Sequence, residues 1–588
     1  MEQTRKPYLT NNALKYFLTA SVLTMAINQL NTTADGIIVS HLVGPDALSA
    51  VTLYVPINLM VSALGTLLGI GATIIAAKAI GRRDKEAVCG ILSTALISLV
   101  LAGICLFGAG FIFGEEITGF LTSDEHLRPQ VLAYLSVMLG LGFMPMINLF
   151  LGQCVDIDGF PLKVTKAMML LFATNVLFDF TLVGAFNMGI RGSAIATIIA
   201  YFIAILYYCR HLLGGQSDIH FHFSFTSFKK YIGQNLKQGL PLLIGNMILV
   251  LLFYYMNNIV QDRLGHNGMF IMSVCVNIFM IGMMLSNGFG SAILSLGGFL
   301  YGQSDYTSVR FLVKRCLIAI LIITIGFSVL VEAAPSLLTR LFGANTPELI
   351  TLANSGVRIF IICLAPFCLA ITLANLYQVL SRLVLSTILV ISFPVVLLSS
   401  MKLLANNDDD TMLWYAFPIS GILVFLYAVI VTEVIRIKSR PKKFTSLTLL
   451  PMENLDQVYE ISLNNTTSNF HETIGHLSEM MDVFVLDETI KNQAVSGTEE
   501  ILLNTIQHSG IEGNGHYSDL RMVKTAEIFT ISLKYEGRPF NPLILNEDDR
   551  KIGLRILFGQ IKDVDYKYMY GQNMMYLSWN IEKDNTNN

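Results

Sequence analysis

Asp35 and Asp179 are acidic residues set inside long apolar stretches, and they are the clearest candidates for chemistry. A charge at mid-membrane depth costs on the order of a few kcal/mol, so each calls for a partner. Asn28, Asn31, Thr32 and Asp35 recur at helical spacing and form one polar stripe. Asn175 and Asp179 are four residues apart, which puts them on one helix face, and Thr197 lies in the following apolar stretch. Carboxylates sharing a low-dielectric cavity cannot both ionise cheaply. With amide and hydroxyl oxygens nearby, they would hold a cation between them or take up a proton. The residues therefore point to an oxygen-lined site for H⁺ or Na⁺; the plainer alternative is that each acid bonds a neighbouring helix.

The elements that must position these residues follow from composition. The chain has 588 residues, 53% of them hydrophobic and 14% charged. Soluble domains carry roughly 25% charged residues, so most of this surface is expected to face lipid. The apolar load ends near RIKSRPKK, and the chain beyond it has no run long enough to cross a bilayer. Twelve spans are predicted, at about 14–38, 50–78, 88–113, 130–153, 163–186, 190–209, 238–260, 268–300, 315–334, 353–378, 384–403 and 412–436. Basic loops alternate with acidic ones. GRRDK, Lys163 with Lys166, Arg210 with Lys229 and Lys230, VRFLVKR, Arg382 and RIKSRPKK lie on one side; GEEITGFLTSDEH and NNDDD lie on the other. Basic loops face the cytoplasm, so both termini are expected there, in a bacterial inner membrane. The first apolar stretch lacks a cleavage site and is expected to stay as a helix.

IIVSHLVGPDAL near Ile37 is similar to NIVQDRLGHNGM near Asn258, and GIGATIIAAKAIGRRD is similar to GFGSAILSLGGFLYGQSD, both at an offset of about 220 residues. The fold expected is an all-α polytopic membrane protein of two parallel six-helix repeats, residues 1–215 and 216–440, with a C-terminal cytosolic α+β domain over 441–588. The net charge of −3 gives no basic field for nucleic acid. The eight cysteines all precede the C-terminal domain and form no CxxC pair, which fits a reducing compartment for that domain. Methionines crowd the eighth span, where ordinary packing or a cavity tolerant of many shapes would both use them.

ADGIIVSHLVGPDALSAV and ATNVLFDFTLVGAFNMGIRGSAIAT resemble the multidrug and toxic compound extrusion (MATE) family, over roughly residues 10–435. In members with a cation site in the N-terminal lobe, the matching positions are Asp35, Asn175, Asp179 and Thr197. The resemblance implies efflux of organic cations or drugs in exchange for H⁺ or Na⁺, with no other cofactor for transport. Members with acidic residues in the seventh and tenth helices differ from this chain, whose spans 238–260 and 353–378 have none in their interiors.

In the C-terminal part, Glu500, Asn504 and His508 fall at four-residue steps in TEEILLNTIQHS, on one helix face. Val495–Ser509 reads as an amphipathic helix, and Ile528–Leu533 and MMYLSW read as strands. TEEILLNTIQHS, YEGRPFNPL around Gly537 and IGLRILFGQIKDVDYKYMYGQN around Gly553 resemble, in this order, the N-box, G1 and G2 segments of GHKL ATP-binding domains, an α/β sandwich, and above all the anti-sigma factor serine kinases. The resemblance implies an ATP/Mg site using Glu500, Asn504, Gly537 and Gly553, with Glu500 polarising a nucleophile and Asn504 holding Mg²⁺. Tyr535 stands where that family has its adenine-reading aspartate, and Arg555 where a glycine is usual. No G-x-x-x-x-G-K-[ST] motif is present, and the histidines of FHETIGH are five apart rather than the four a zincin needs.

These observations leave three functional classes. The first is a secondary antiporter whose partners are small organic cations and membrane lipid, with a tail that regulates or docks a cytosolic regulatory protein. The second is a flippase for lipid-linked precursors, which would favour a cationic cavity. The third is a membrane-anchored serine kinase.

Overall fold

The computed structural model describes residues 7–439, 444–451, 458–541, 561 and 563–581, apart from 123, 124, 126, 216, 343–345, 407, 408, 483, 485, 509–515 and 526. By contact density the chain divides into two units. One is Leu18–Pro451; the other joins Met1–Phe17 to Met452–Asn588.

The larger unit is helical. Its first half holds α1 (Tyr8–Leu42, beginning in the other unit), α2 (Pro45–Gly65), α3 (Gly71–Gly81), α4 (Lys85–Leu121), α5 (Arg128–Gly140), α6 (Phe143–Ile157), α7 (Pro161–Phe178) and α8 (Gly189–Leu212). Its second half holds α9 (Phe225–Ala292), α10 (Gly298–Gly302), α11 (Tyr306–Ala333), α12 (Pro335–Leu341), α13 (Pro347–Ile361), α14 (Leu364–Val379), α15 (Leu383–Leu404) and α16 (Ala416–Lys438). Proline at the first turn opens α2, α7 and α13, where its missing N–H leaves nothing unpaired.

Among the described residues nine helices are long and apolar enough to span a bilayer, or ten if the bent pair α5–α6, meeting at 44°, is one span. This differs from the predicted twelve for two physical reasons. Tyr8–Leu42 carries the polar stripe of Asn28, Asn31, Thr32 and Asp35 and falls outside the count. The seventh and eighth predicted spans lie together in α9, a 68-residue run that leaves helical geometry at Gly265 (φ 57, ψ −145). A straight helix of that length would be about 100 Å long, against a bilayer core of about 30 Å.

The sequence repeat has a backbone counterpart. Asp84 caps α4 by accepting from the Ala87 N–H at 2.9 Å, and Asp305 caps α11 by accepting from the Ser308 N–H at 3.0 Å. The residue before each cap is left-handed, Arg83 at φ 62 and Ser304 at φ 57. The turns before α7 and α15 repeat the left-handed step without a side-chain cap, with Gly159 at φ 96 and Ser381 at φ 57. The halves approach backbone to backbone: a Cβ on Gly81 would lie 2.1 Å from the Phe299 carbonyl oxygen, and one on Gly302 2.2 Å from that of Lys78. Only glycine allows such an approach.

The smaller unit contains an antiparallel sheet of β1 (Val458–Asn464), β2 (Tyr517–Lys524), β3 (Ile528–Tyr535), β4 (Asp563–Met569) and β5 (Gln572–Asn580), in the order β1-β2-β3-β5-β4. Helices α17 (Thr467–Asp482) and α18 (Glu488–His508) complete it. Phe529, Ile531 and Leu533 alternate along β3 and are buried with Leu477, Met481, Leu502 and Trp579 in one core. The strands expected at Ile528–Leu533 and MMYLSW fall within β3 and β5, and the expected helix within α18.

Candidate functional site

Asp35 on α1, Asn175 on α7, Asp179 just past its end and Thr197 on α8 come together in one cluster. The Asn175 amide donates to the Thr197 hydroxyl at 3.3 Å, and that hydroxyl donates to the Ser193 carbonyl at 3.1 Å. The Ser193 hydroxyl donates to Asp35 Oδ1 at 3.1 Å. The Asp35 and Asp179 carboxyls stand within electrostatic reach of each other. Asp179 is fully buried, and neither of its oxygens, nor the Asn175 side-chain oxygen, has a donor. Asp179 also opens a π-helical turn, Asp179–Ala185, a distortion that concentrates at functional sites.

This geometry has one chemical consequence. Neighbouring carboxyl groups, one of them fully buried and without any donor, cannot both stay ionised cheaply. A proton on one, or a monovalent cation between them with Asn175 Oδ1 as a further oxygen, satisfies the cluster. Tyr134 and Tyr201 stand within electrostatic reach of Asp35, and the Tyr134 ring lies edge-on to Tyr54 with centroids 5.4 Å apart. The stripe residues Asn28 and Thr32 remain exposed, Thr32 bonding back to the Asn28 carbonyl.

Several polar residues were missed by reading the sequence. Ser193 sits one turn before Thr197 on α8, and four-residue spacing could have found it. Lys78 is 7% exposed and donates to the Ser381 hydroxyl at 2.8 Å, joining the two halves. Asp156 is buried with Ser291 at 3.5 Å. His211 Nε2 bonds Asp158 at 2.9 Å while its Nδ1 lies 2.8 Å from the Lys163 ammonium. The eighth-span methionine Met272 packs with Met256, Phe279 and Phe393 around a void of only about 10 Å³, which is ordinary close packing.

In the C-terminal unit Glu500 is half-buried on α18. Asn504 and His508 belong to the same helix, but their side chains lie outside the described residues, as does Gly553. Gly537 follows β3 with φ 120. Tyr535 is 1% exposed, and its hydroxyl donates to the Phe540 carbonyl at 3.3 Å. Asn573 holds the same loop, accepting from the Phe540 N–H at 3.1 Å and donating to the Arg538 carbonyl at 3.2 Å.

A helical bundle with a repeated half and a buried carboxyl at Asp179, built from so many apolar helices, is a multi-pass membrane protein. The MatE family profile matches residues 20–181 and 241–400, more than half of the chain, and the chain belongs to this family. It is 24% identical over 270 residues to YoeA of Bacillus subtilis (strain 168), named a probable multidrug resistance protein, covering 42% of this chain and 57% of that one. It is 22% identical over 230 residues to the multidrug export protein MepA of Staphylococcus saprophyticus, covering 38% and 51%. These matches span about half the length of the curated relatives. Among solved structures, the outward-facing conformation of a multidrug resistance MATE family transporter of the MOP superfamily has a similar fold, with TM-score 0.68 and 19% identity, covering 74% of this chain and 99% of that one. A MOP superfamily transporter from Pyrococcus furiosus gives TM-score 0.66 and 20% identity over 75% and 99%.

Proposed function

We propose that the chain is a secondary active exporter of organic cations or drugs, driven by H⁺ or Na⁺ through alternating access of two six-helix lobes. In this reading α1 and the two parts of α9 each cross the bilayer, giving twelve spans. Both termini face the cytoplasm of a bacterial cell, and the C-terminal domain regulates transport. The observation that carries the reading is the donor-free, buried Asp179 carboxyl within electrostatic reach of Asp35, beside Asn175, Ser193 and Thr197. Such a site has a reason to bind a small cation and to lose it when hydrated from the other side. The names of the relatives support the cargo: both are named for multidrug resistance or export.

The C-terminal domain is proposed to bind ATP weakly or not at all and to act through its fold, because the resemblance puts Tyr535 where the adenine-reading aspartate would stand, and its hydroxyl is taken up by the Phe540 carbonyl. Everted vesicles carrying the protein decide the main reading. A panel of fluorescent organic cations should move against an imposed pH or Na⁺ gradient and stop when that gradient is collapsed. Movement that ignores both gradients would refute ion-driven antiport.

A further inference from the structure

The C-terminal domain has a surface whose partner is the beginning of its own chain. Leu9, Ala13 and Phe17 are spaced four apart along α1 and are at most 3% exposed. The Phe17 ring lies 5.8 Å from Tyr570, and the Tyr8 ring 4.6 Å from Tyr517 at the start of β2. Polar contacts fix the register: Gln572 donates to the Leu9 carbonyl at 2.5 Å, and Asn12 donates to Glu536, whose other oxygen meets His516 at 3.1 Å.

The hairpin that makes part of this grip is built for the purpose. Tyr570 and Gly571 connect β4 to β5 with φ 53 and φ 76, the two left-handed positions of a tight hairpin turn. Glycine takes such a φ freely; a tyrosine does not. Tyr570 is nevertheless there, 1% exposed and packed on Phe17. Buried rings and a buried amide at one helix face are the marks of a specific contact, because each polar group left unmatched there would be penalised.

The helix so held is the one that carries Asp35. It runs from Tyr8 to Leu42 as one α-helix. Phe17 and Asp35 are separated along it by about 27 Å at the helical rise.

We propose that the C-terminal domain is an intramolecular clamp on the first turns of α1, and that its grip sets the freedom of the helix carrying Asp35. The partner of the domain is thus the segment Tyr8–Phe17 itself. The transport consequence rests on the antiporter reading; the contact does not.

The test uses the full chain with Cys89, Cys105 and Cys209 replaced by serine, bearing Asn12→Cys and Glu536→Cys. Mild oxidation should form this disulfide, identified by peptide mapping, and slow efflux at least about tenfold, with recovery on reduction. In parallel, Tyr570→Ala with Gln572→Ala should raise backbone amide exchange over residues 9–17 at least about tenfold. A disulfide that does not form, or exchange that does not rise, overturns the contact. A disulfide that forms without slowing efflux overturns the coupling. Should the reduced protein export nothing, the antiporter reading is at fault, and the exchange measurement alone decides the clamp.

Discussion

Asp179→Asn separates an ion site from a structural acid. The carboxyl is fully buried, both its oxygens lack donors, and Asp35 stands within electrostatic reach of it. A monovalent cation about 4 Å from a carboxylate gains roughly 4 kcal/mol at an effective dielectric of 20. Removing that charge should therefore weaken cation binding by about three decades. Asparagine is nearly the same shape, and its amide can donate to Asp35. That would add a hydrogen bond to a charged group, worth about 1.5–3 kcal/mol. The variant should thus melt at the same temperature as the wild type or higher, while ion-driven efflux disappears. The pairing of the two readouts matters, because a merely structural acid would lose stability and transport together. Thermal melting in detergent, Na⁺ titration calorimetry with proton release, and vesicle efflux measure all three. Wild-type ion-driven efflux in Asp179→Asn would refute the assignment, as would a lower melting temperature with unchanged cation affinity.

Ser193→Ala removes the hydroxyl that donates to Asp35 at 3.1 Å; the empty carboxylate loses that support, so ion affinity should rise by about one to two decades if Asp35 works as an anion, and affinity within threefold of wild type would show that it does not. Reporter fusions at Lys443 and in the NNDDD loop should give opposite readouts, and matching readouts would overturn the twelve-span reading. The full-length protein should bind MgATP one to two decades more weakly than a site keeping its adenine-reading carboxylate. Micromolar binding that vanishes in Asn504→Ala, together with phosphate release, would contradict that expectation.

What the sequence disclosed depended on distance along the chain. Asn175 and Asp179 share a face because they are four apart, and spacing alone places them. The joining of Asp35 to Asp179 across distant helices needed either the family resemblance or the fold. That Lys78 is buried against Ser381 depends on a contact between halves which no local pattern announces. The same holds for Asp158 and His211, and for the first turns of α1, whose apolar face looks like the start of any membrane helix. The break inside α9 hid for a different reason: Gly265 is one glycine among many, and only its non-helical φ of 57 distinguishes it.

Tyr535 shows how far local arithmetic can still reach. Side chains along a strand alternate between faces, so positions 529, 531, 533 and 535 share one. The first three are Phe, Ile and Leu, and all are buried in the core that also contains Leu502 of α18. A tyrosine in that register is led toward the packed layer between sheet and helix, where a phenol must find an acceptor. It finds the Phe540 carbonyl, five residues on, in the loop that follows β3. The ring and its hydroxyl therefore tie this loop onto the domain's own core. That is a reason to expect this domain to work by contact rather than by turnover, and the contact the structure offers is the one on α1.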